Sequence, residues 1–239
     1  MTSTTPATDE LAAIEAAEAR LHNAKPEEIL EWVFKRYGTG VTLASAFGNT
    51  ADAVLMDMVA KVAPGTPVFY LDTDFLFPET HDFISKSREK YGDKINLQMF
   101  KTDLTPEAQA IKFGERLWEE HPDQCCDIRK VEPIHQALDG KRAWITGIRR
   151  DQSETRANAP AVTWDGKFGL AKANPLVTWD EKTSWAYIFA NDVPYNILHD
   201  RNYPTVGCTN CTRAVMPGED QRAGRWAGSD KVECGLHLD

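Results

Sequence analysis

The five cysteines of this 239-residue chain are the side chains whose spacing most clearly indicates chemistry. Cys125 and Cys126 are adjacent, and Cys208 and Cys211 form a C-x-x-C pair. Cys234 stands alone near the carboxyl end. Thiolate clusters select zinc or iron–sulfur centres, so this arrangement suggests one four-thiolate metal site and one separate thiol.

The adjacent pair indicates which metal the four cysteines favour. Structural zinc sites usually use cysteines separated by about two to four residues, whereas neighbouring cysteines can bind different irons of one cubane. The set Cys125, Cys126, Cys208 and Cys211 therefore predicts an iron–sulfur centre, and zinc or no metal at all are the alternatives.

Cys234 has the sequence surroundings of a reactive thiol. His237 follows it by three residues, and arginines precede it in the chain. Positive neighbours lower the pKa of a thiol and so raise the thiolate fraction near neutral pH. We therefore predict that Cys234 is a nucleophile, and the alternative is an exposed thiol without function.

The composition limits the classes of partner. Hydrophobic residues make up 42% of the chain, enough for a sizeable core, and the net charge of −9 argues against a general nucleic-acid binder. Arginines cluster near the cysteines and in polar loops, which suits a small anionic ligand. The start of the chain lacks signal-peptide features and no stretch is long enough to span a membrane. We therefore expect no membrane association, a cytoplasmic location and no structural disulfide.

Short apolar segments alternate with helical segments over most of the chain. We predict strands at residues 41–45, 68–72, 95–100 and 143–147, and helices at residues 9–22, 26–37, 51–63, 78–91, 106–118, 128–138 and 180–191. Alternating strands and helices are typical of a mostly parallel sheet covered on both faces. The sequence thus predicts a single α/β domain, followed from residue 203 by an irregular tail.

Three polar loops follow predicted strands, at residues 45–50, 72–74 and 147–151. Ligands of parallel α/β folds bind at the carboxyl ends of strands, where backbone N–H groups and helix amino termini hold phosphates. The first loop lacks both the Walker pattern and the Ser-Gly-Gly-x-Asp-Ser run of ATP pyrophosphatases. It could still hold a single phosphate, and the alternative is an ordinary strand-to-helix turn.

Taken together, the motifs resemble the assimilatory adenylyl-sulfate (APS) reductases, the iron–sulfur branch of the APS/PAPS reductase family. The matching runs are LDT at 71–73, FPET at 77–80, CCDIRKV at 125–131, TGIRRDQS at 146–153, NPL at 174–176, PYNILH at 194–199, GCTNCTR at 207–213 and ECGLH at 233–237. The resemblance extends from about residue 26 to the carboxyl end, and the combination is far more specific than any single motif.

The resemblance implies a fold like that of adenine nucleotide alpha hydrolases, with a mobile C-terminal tail. Composition and the resemblance together divide the chain into a segment 1–24 that is partly disordered and then helical, a nucleotide-binding reductase domain 25–202 and a tail 203–239. The resemblance also implies that Cys234 attacks the sulfur of adenosine 5′-phosphosulfate, which releases AMP and leaves a Cys-S-sulfonate. Thioredoxin or a similar dithiol then releases sulfite, in sulfate assimilation and cysteine biosynthesis.

The family pattern also assigns roles to individual residues. The implied [4Fe-4S] ligands are Cys125, Cys126, Cys208 and Cys211. Two thiols can supply the two electrons, so the cluster need not change its oxidation state, and an electrostatic or structural role is open to it. The implied substrate contacts are Ser45 and Gly48 in the first loop, Leu71 and Gly147 on the adenine, Lys130 between cluster and substrate, Arg149 in the third loop, and Arg222, Arg225 and His237 on the phosphosulfate.

Two departures from the family pattern affect the nucleotide site. The first loop is one residue longer than usual, and Asp74 stands where glycine is common. Reduction of 3′-phosphoadenylyl sulfate (PAPS), alone or with APS, is the main alternative function. An ATP-dependent adenylating or thiolating enzyme and an iron–sulfur redox sensor are further alternatives, and a homo-oligomer is possible.

Overall fold

The fold is described from a computed structural model, which covers residues 8–227, 231 and 233. The expected disorder at the start of the chain, Cys234 and His237 therefore lie outside the described residues. No helix in the part of the chain that is described combines the length and the apolar character that crossing a membrane requires.

A six-stranded sheet forms the centre of the molecule. Its strands are β1 (Val41–Ala44), β2 (Thr66–Leu71), β3 (Ile95–Phe100), β4 (Ala143–Ile145), β5 (Val162–Asp165) and β6 (Leu170–Ala173), in the order β3-β2-β1-β4-β6-β5. Every neighbouring pair is parallel except β5 with β6. The expected single α/β domain with a mostly parallel sheet is confirmed.

Helices cover both faces of this sheet. They are α1 (Thr8–Leu21), α2 (Pro26–Tyr37), α3 (Thr50–Val62), α4 (Pro78–Tyr91), α5 (Pro106–Phe113), α6 (Leu117–Glu120), α7 (Pro122–Cys126), α8 (Glu132–Leu138) and α9 (Glu181–Ala190). Proline begins α2, α4 and α5 because the first helical position needs no N–H donor.

Side chains that alternate along the central strands build two core clusters. Leu43 and Ile145 belong to the cluster that α1, α2, α3 and α4 share. Phe69 and Trp144 point to the opposite face, where they pack with Ile134 of α8. Burial on both faces explains why these strands appear as continuous apolar runs in the sequence.

The structure corrects the boundaries of two predicted helices and adds a hairpin. The predicted helix 106–118 ends at Phe113, because Gly114 adopts a φ of 99° that a helix cannot continue. The predicted helix 128–138 is the end of a longer helical stretch that begins at Pro122 and passes through a π-helical turn, Asp127–Val131. The hairpin of β5 and β6 was not predicted.

Candidate active site

The loop between β1 and α3 is built around the buried carboxylate of Asp52. Its Oδ2 accepts N–H groups from Gly48 at 3.0 Å and Asn49 at 3.3 Å. The Asn49 side chain in turn accepts the N–H of Asp52 at 3.0 Å, a reciprocal cap that begins α3. Burial raises the pKa of Asp52 to about 6, although the backbone N–H groups oppose that shift.

A cavity of about 160 Å³ opens at the carboxyl ends of the central strands. Seven residues predicted from the sequence line it together, namely Ser45, Gly48, Leu71, Lys130, Gly147, Arg222 and Arg225. They come from the first and third predicted loops, the end of β2, the π-helical turn and the C-terminal segment, so the tertiary structure brings these separate motifs to one place.

Arg149 has a different place from the one expected. Its buried guanidinium does not line the cavity but bonds to Asp151 at 2.9 Å, to Glu181, and to the Thr50 hydroxyl at 2.9 Å. Thr50 is the first residue of α3. Arg149 thus ties the loop after β4 to the amino terminus of α3 and to α9, beside the cavity.

The four cysteines other than Cys234 line one small second cavity. Cys125 and Cys126 reach it from α7, and Cys208 and Cys211 reach it from the C-terminal segment. Within residues 8–227, 231 and 233, no three His, Cys, Asp or Glu side chains are gathered at metal-ligand geometry. The four expected ligands nevertheless line one common space.

Backbone contacts hold the second cysteine pair in place. Cys208 forms an antiparallel bridge with Leu76, and the N–H of Thr209 donates to Phe75 O at 2.7 Å. The N–H of Trp226 donates to Cys211 O at 2.9 Å. The segment after β2 and the C-terminal segment thus fix the C-x-x-C pair against the helix that carries the adjacent pair.

The surroundings of Cys208 in the cysteine cavity favour its thiolate form. A hydrogen bond from Cys211, together with the nearby Lys130 ammonium, holds the pKa of the Cys208 thiol well below its usual range. The Thr73 hydroxyl lies 3.3 Å from the same sulfur. Burial is the main cause that raises the pKa of Cys125 to about 11. The neighbouring sulfurs of Cys126 and, to a smaller extent, Cys208 raise it further.

Two buried donors also indicate that this cavity suits an anionic sulfur group. Arg129 Nη2 and Asn210 Nδ2 are buried without a hydrogen-bond partner among the described residues, and both side chains line the cavity. Buried donors normally find acceptors. Arg129 is held by Asp74 at 2.6 Å and by Gln109 at 2.8 Å, so Asp74 points away from the nucleotide site. The two donors therefore suit a sulfur-rich anionic group bound among the four cysteines.

Glu233 and Arg156 are site residues that were not among the substrate contacts expected from the sequence. Both line the larger cavity, where the Glu233 carboxylate is bonded to Arg156 and to Arg222. The position of Glu233 directly before Cys234 was an available signal. No local pattern distinguishes Arg156 from an ordinary surface arginine.

Comparison with known proteins supports one family. The profile of the phosphoadenosine phosphosulfate reductase domain matches residues 40–214. A protein of Halalkalibacterium halodurans named adenosine 5′-phosphosulfate reductase is 46% identical over 88% of this chain and 90% of its own length. A protein of Salinibacter ruber with the same name is 43% identical over 93% of this chain and 87% of its own length.

Solved structures agree with the sequence relatives. The crystal structure of phosphoadenylyl-sulfate (PAPS) reductase from Candida auris, a phosphate complex, has a TM-score of 0.74 and 29% identity over 89% of this chain and 100% of that chain. An FMN adenylyltransferase from Candida glabrata, at 15% identity and a TM-score of 0.57, shares the fold alone. With the family profile matching most of its length and relatives above 40% identity, this chain belongs to the phosphoadenosine phosphosulfate reductase domain family.

Proposed function

We propose that this protein reduces adenosine 5′-phosphosulfate to sulfite and AMP, with thioredoxin or a similar dithiol as reductant, in the cytoplasmic assimilation of sulfate. Relatives named for this reaction are 43–46% identical to the chain over most of their length. The [4Fe-4S] cluster, Cys234 as nucleophile and the identity of the dithiol are parts of the proposal.

The observation that carries the proposal is the contact between the two cavities. Lys130, Cys208 and Trp226 line both the larger cavity and the cysteine cavity. A nucleotide in the first would therefore share a wall with a thiolate-bound group in the second. This arrangement suits an enzyme whose cluster influences the bound anion and differs from a site for a structural metal alone.

The proposed chemistry balances with two thiols as the electron source. The Cys234 thiolate attacks the sulfur of the sulfate group, the S–O bond to the nucleotide breaks, and AMP leaves with the electron pair. A thiolate of the dithiol attacks Cys234 Sγ and releases sulfite. Its second thiol then resolves the mixed disulfide, so sulfur(VI) becomes sulfur(IV) and the dithiol becomes a disulfide.

The described residues suit the binding of such a substrate. Arg222 and Arg225 supply positive charge for the phosphosulfate, and Lys130 supplies more from the side of the cysteine cavity. Arg225 Nε is buried without a hydrogen-bond partner among the described residues, which leaves a donor for an anion. Ser45, Gly48, Leu71 and Gly147 line the space left for the nucleoside and its phosphate.

We assign the cluster to Cys125, Cys126, Cys208 and Cys211. When bound, it would supply a fixed charge distribution beside the substrate without a change of oxidation state. Lys130 would lie between the cluster and the bound anion and interact with both, because it lines both cavities. We assign Arg149 a positioning role through Thr50, in place of the direct substrate contact expected from the family pattern.

The second candidate is the same reaction on PAPS. A Candida auris protein named PAPS reductase is 29% identical to this chain over 89% of its length. The closer agreement with relatives named for APS favours APS as the substrate. The two nucleotides differ by one phosphate group, so a direct comparison of both separates them.

The test is intact mass spectrometry of the cluster-loaded protein after mixing with APS or PAPS in the absence of reductant. We expect one added sulfonate per chain with APS, its loss on addition of thioredoxin, and a much slower reaction with PAPS. Cys234→Ser should form no adduct, and Thr209→Ser, an exposed change beside a cluster cysteine, should react normally. No adduct with either nucleotide would overturn the proposal.

A further inference from the structure

The carboxylate of Glu233 lies inside the larger cavity and is only 4% exposed. Arg156 Nε donates to Oε1 and Arg156 Nη2 donates to Oε2, each at 2.8 Å. Arg222 Nη2 donates to Oε2 at 3.1 Å. Two parallel charge-assisted bonds from one guanidinium fix both the distance and the plane of the carboxylate.

Arg156 is itself held rigidly by the loop that lines the nucleotide site. Its Nη1 donates to Gln152 Oε1, which also accepts the N–H of Arg149 at 3.1 Å. Gln152 Nε2 donates to the carbonyl of Gly147 at 3.2 Å. The guanidinium of Arg156 therefore connects Glu233 to the loop after β4 through the side chain of Gln152.

We propose that Arg156 and Glu233 form a positioning pair that fixes the chain immediately before Cys234 against the substrate cavity. The inference rests on the proposed function, in which Cys234 attacks the bound nucleotide. Consecutive Cα atoms are about 3.8 Å apart, so fixing Glu233 restricts the region that its neighbour can occupy. Misplacement of a reacting group by about 1 Å can slow a reaction about a hundredfold.

The geometry favours an anchor that stays in place when the substrate binds over a carboxylate that the substrate displaces. The Nε, Nη1 and Nη2 atoms of Arg156 all donate to Glu233 or Gln152. Arg225 Nε, by contrast, is a buried donor that has no hydrogen-bond partner among the described residues. An incoming anion thus has a donor on Arg225, while Arg156 keeps its bonds to Glu233.

The test separates binding from the chemical step. For wild type and Glu233→Gln, the single-turnover rate of Cys234-S-sulfonate formation at saturating APS is measured by mass spectrometry, and the dissociation constant of AMP is measured separately. Glu233→Gln keeps the shape of the side chain but loses its charge. We expect the rate to fall at least tenfold and AMP affinity to change less than threefold.

Glu219→Gln is the matched control, because Arg213 holds Glu219 through a similar pair of bonds at 2.8 and 3.0 Å on the exposed surface. It should leave both the rate and AMP affinity unchanged. Arg156→Lys is the second variant. It keeps the positive charge but loses the two-pronged geometry, so its rate should also fall with AMP affinity retained.

The outcomes distinguish the inference from the function on which it rests. If wild type forms no adduct, the proposed function fails and the anchor fails with it. If wild type forms the adduct and both variants match its rate, only the anchor is wrong. Loss of AMP affinity in parallel with the rate would mean that Glu233 maintains the cavity as a whole, which also contradicts a positioning role.

Discussion

In the nucleotide loop, the carboxyl group of Asp52 is in an environment very different from water. It is buried, and it accepts N–H groups from Gly48 and Asn49 while capping α3. These bonds favour the charged form, yet burial outweighs them and raises the pKa to about 6. The same carboxylate that shapes the loop therefore destabilises the fold when it ionises.

We predict that Asp52→Asn changes the pH dependence of stability in a defined direction. A carboxyl group whose pKa is raised on folding stabilises the protein while it is protonated, and that stability is lost as pH rises through about 6. Between pH 5 and pH 7.5 wild type should lose about 1 kcal/mol from this group, which the variant should not lose. Urea unfolding across that range measures the difference.

Asp139→Asn is the control for this prediction, because Asp139 is an exposed carboxylate at the end of α8. This variant removes a carboxylate that is not buried, so it shows how much of any difference comes from the loss of one charge alone. A difference from wild type that stays constant with pH in Asp52→Asn would contradict titration of Asp52 in this range.

At the scale of elements, the loop after β1 is joined to the C-terminal segment through a close backbone contact. Val206 N–H donates to Gly48 O at 2.6 Å. A Cβ atom on Gly48 would lie 2.1 Å from the carbonyl oxygen of Val206, closer than any real contact. Glycine is thus required at this position by the approach of the chain that carries Cys208.

We predict that Gly48→Ala separates these two segments. The backbone of Val206 cannot rotate away as a side chain can, so the variant should lose about 2 kcal/mol or more of unfolding free energy. AMP affinity should fall as well, because Gly48 and Val206 both line the cavity. Gly166→Ala is the control, since its Cβ would meet no atom within 4 Å.

Denaturant unfolding and AMP titration of both variants check this prediction. Unchanged stability and affinity in Gly48→Ala would contradict the close contact between the loop and Val206.

The elements divide into those that local sequence predicts and those that depend on pairing. Strands β1, β2 and β4 are predicted because most of their residues are buried and so form apolar runs. Strand β3 lies at the edge of the sheet, and its Met99 is half exposed. Strand β6 contains Lys172, which pairs with Asp165 inside the structure, so its sequence lacks that pattern. The π-helical turn after Cys126 likewise leaves no signature in the residues that form it.

At the scale of the whole molecule, the cysteine cavity closes a long loop. Cys126 and Cys208 lie 82 positions apart, and the chain between them contributes α8, β4, β5, β6 and α9 to the fold. A group bound by all four thiolates would cross-link the two ends of this stretch. Cross-links of that span restrict the unfolded chain and stabilise the folded one.

We predict that removal of the cluster destabilises the protein by up to about 4 kcal/mol, the loop-entropy value for a cross-link of this span. Cys211→Ser and iron-depleted wild type should show a similarly lowered denaturation midpoint. Iron and acid-labile sulfide per chain are measured on the same samples. A chelator should cause no further loss in Cys211→Ser, and Thr209→Ser should retain iron and stability.

An unchanged midpoint after complete loss of iron from wild type would contradict the cross-linking role. Zinc in place of iron and sulfide would leave that role possible but would overturn the assignment of the cluster.

The sequence by itself determined the fold class, the main strands and helices, and which cysteines belong together, because burial, helix capping and thiolate chemistry depend on residue types at short spacing. It also identified seven of the residues that line the larger cavity, since they follow predicted strands or lie in specific motifs. Only the tertiary structure decided which charged side chains form ion pairs with one another. It turned Arg149 toward Asp151 and Glu181, and it placed Glu233 between Arg156 and Arg222. Ion pairs between distant positions depend on how the elements pack, and no local pattern records that packing.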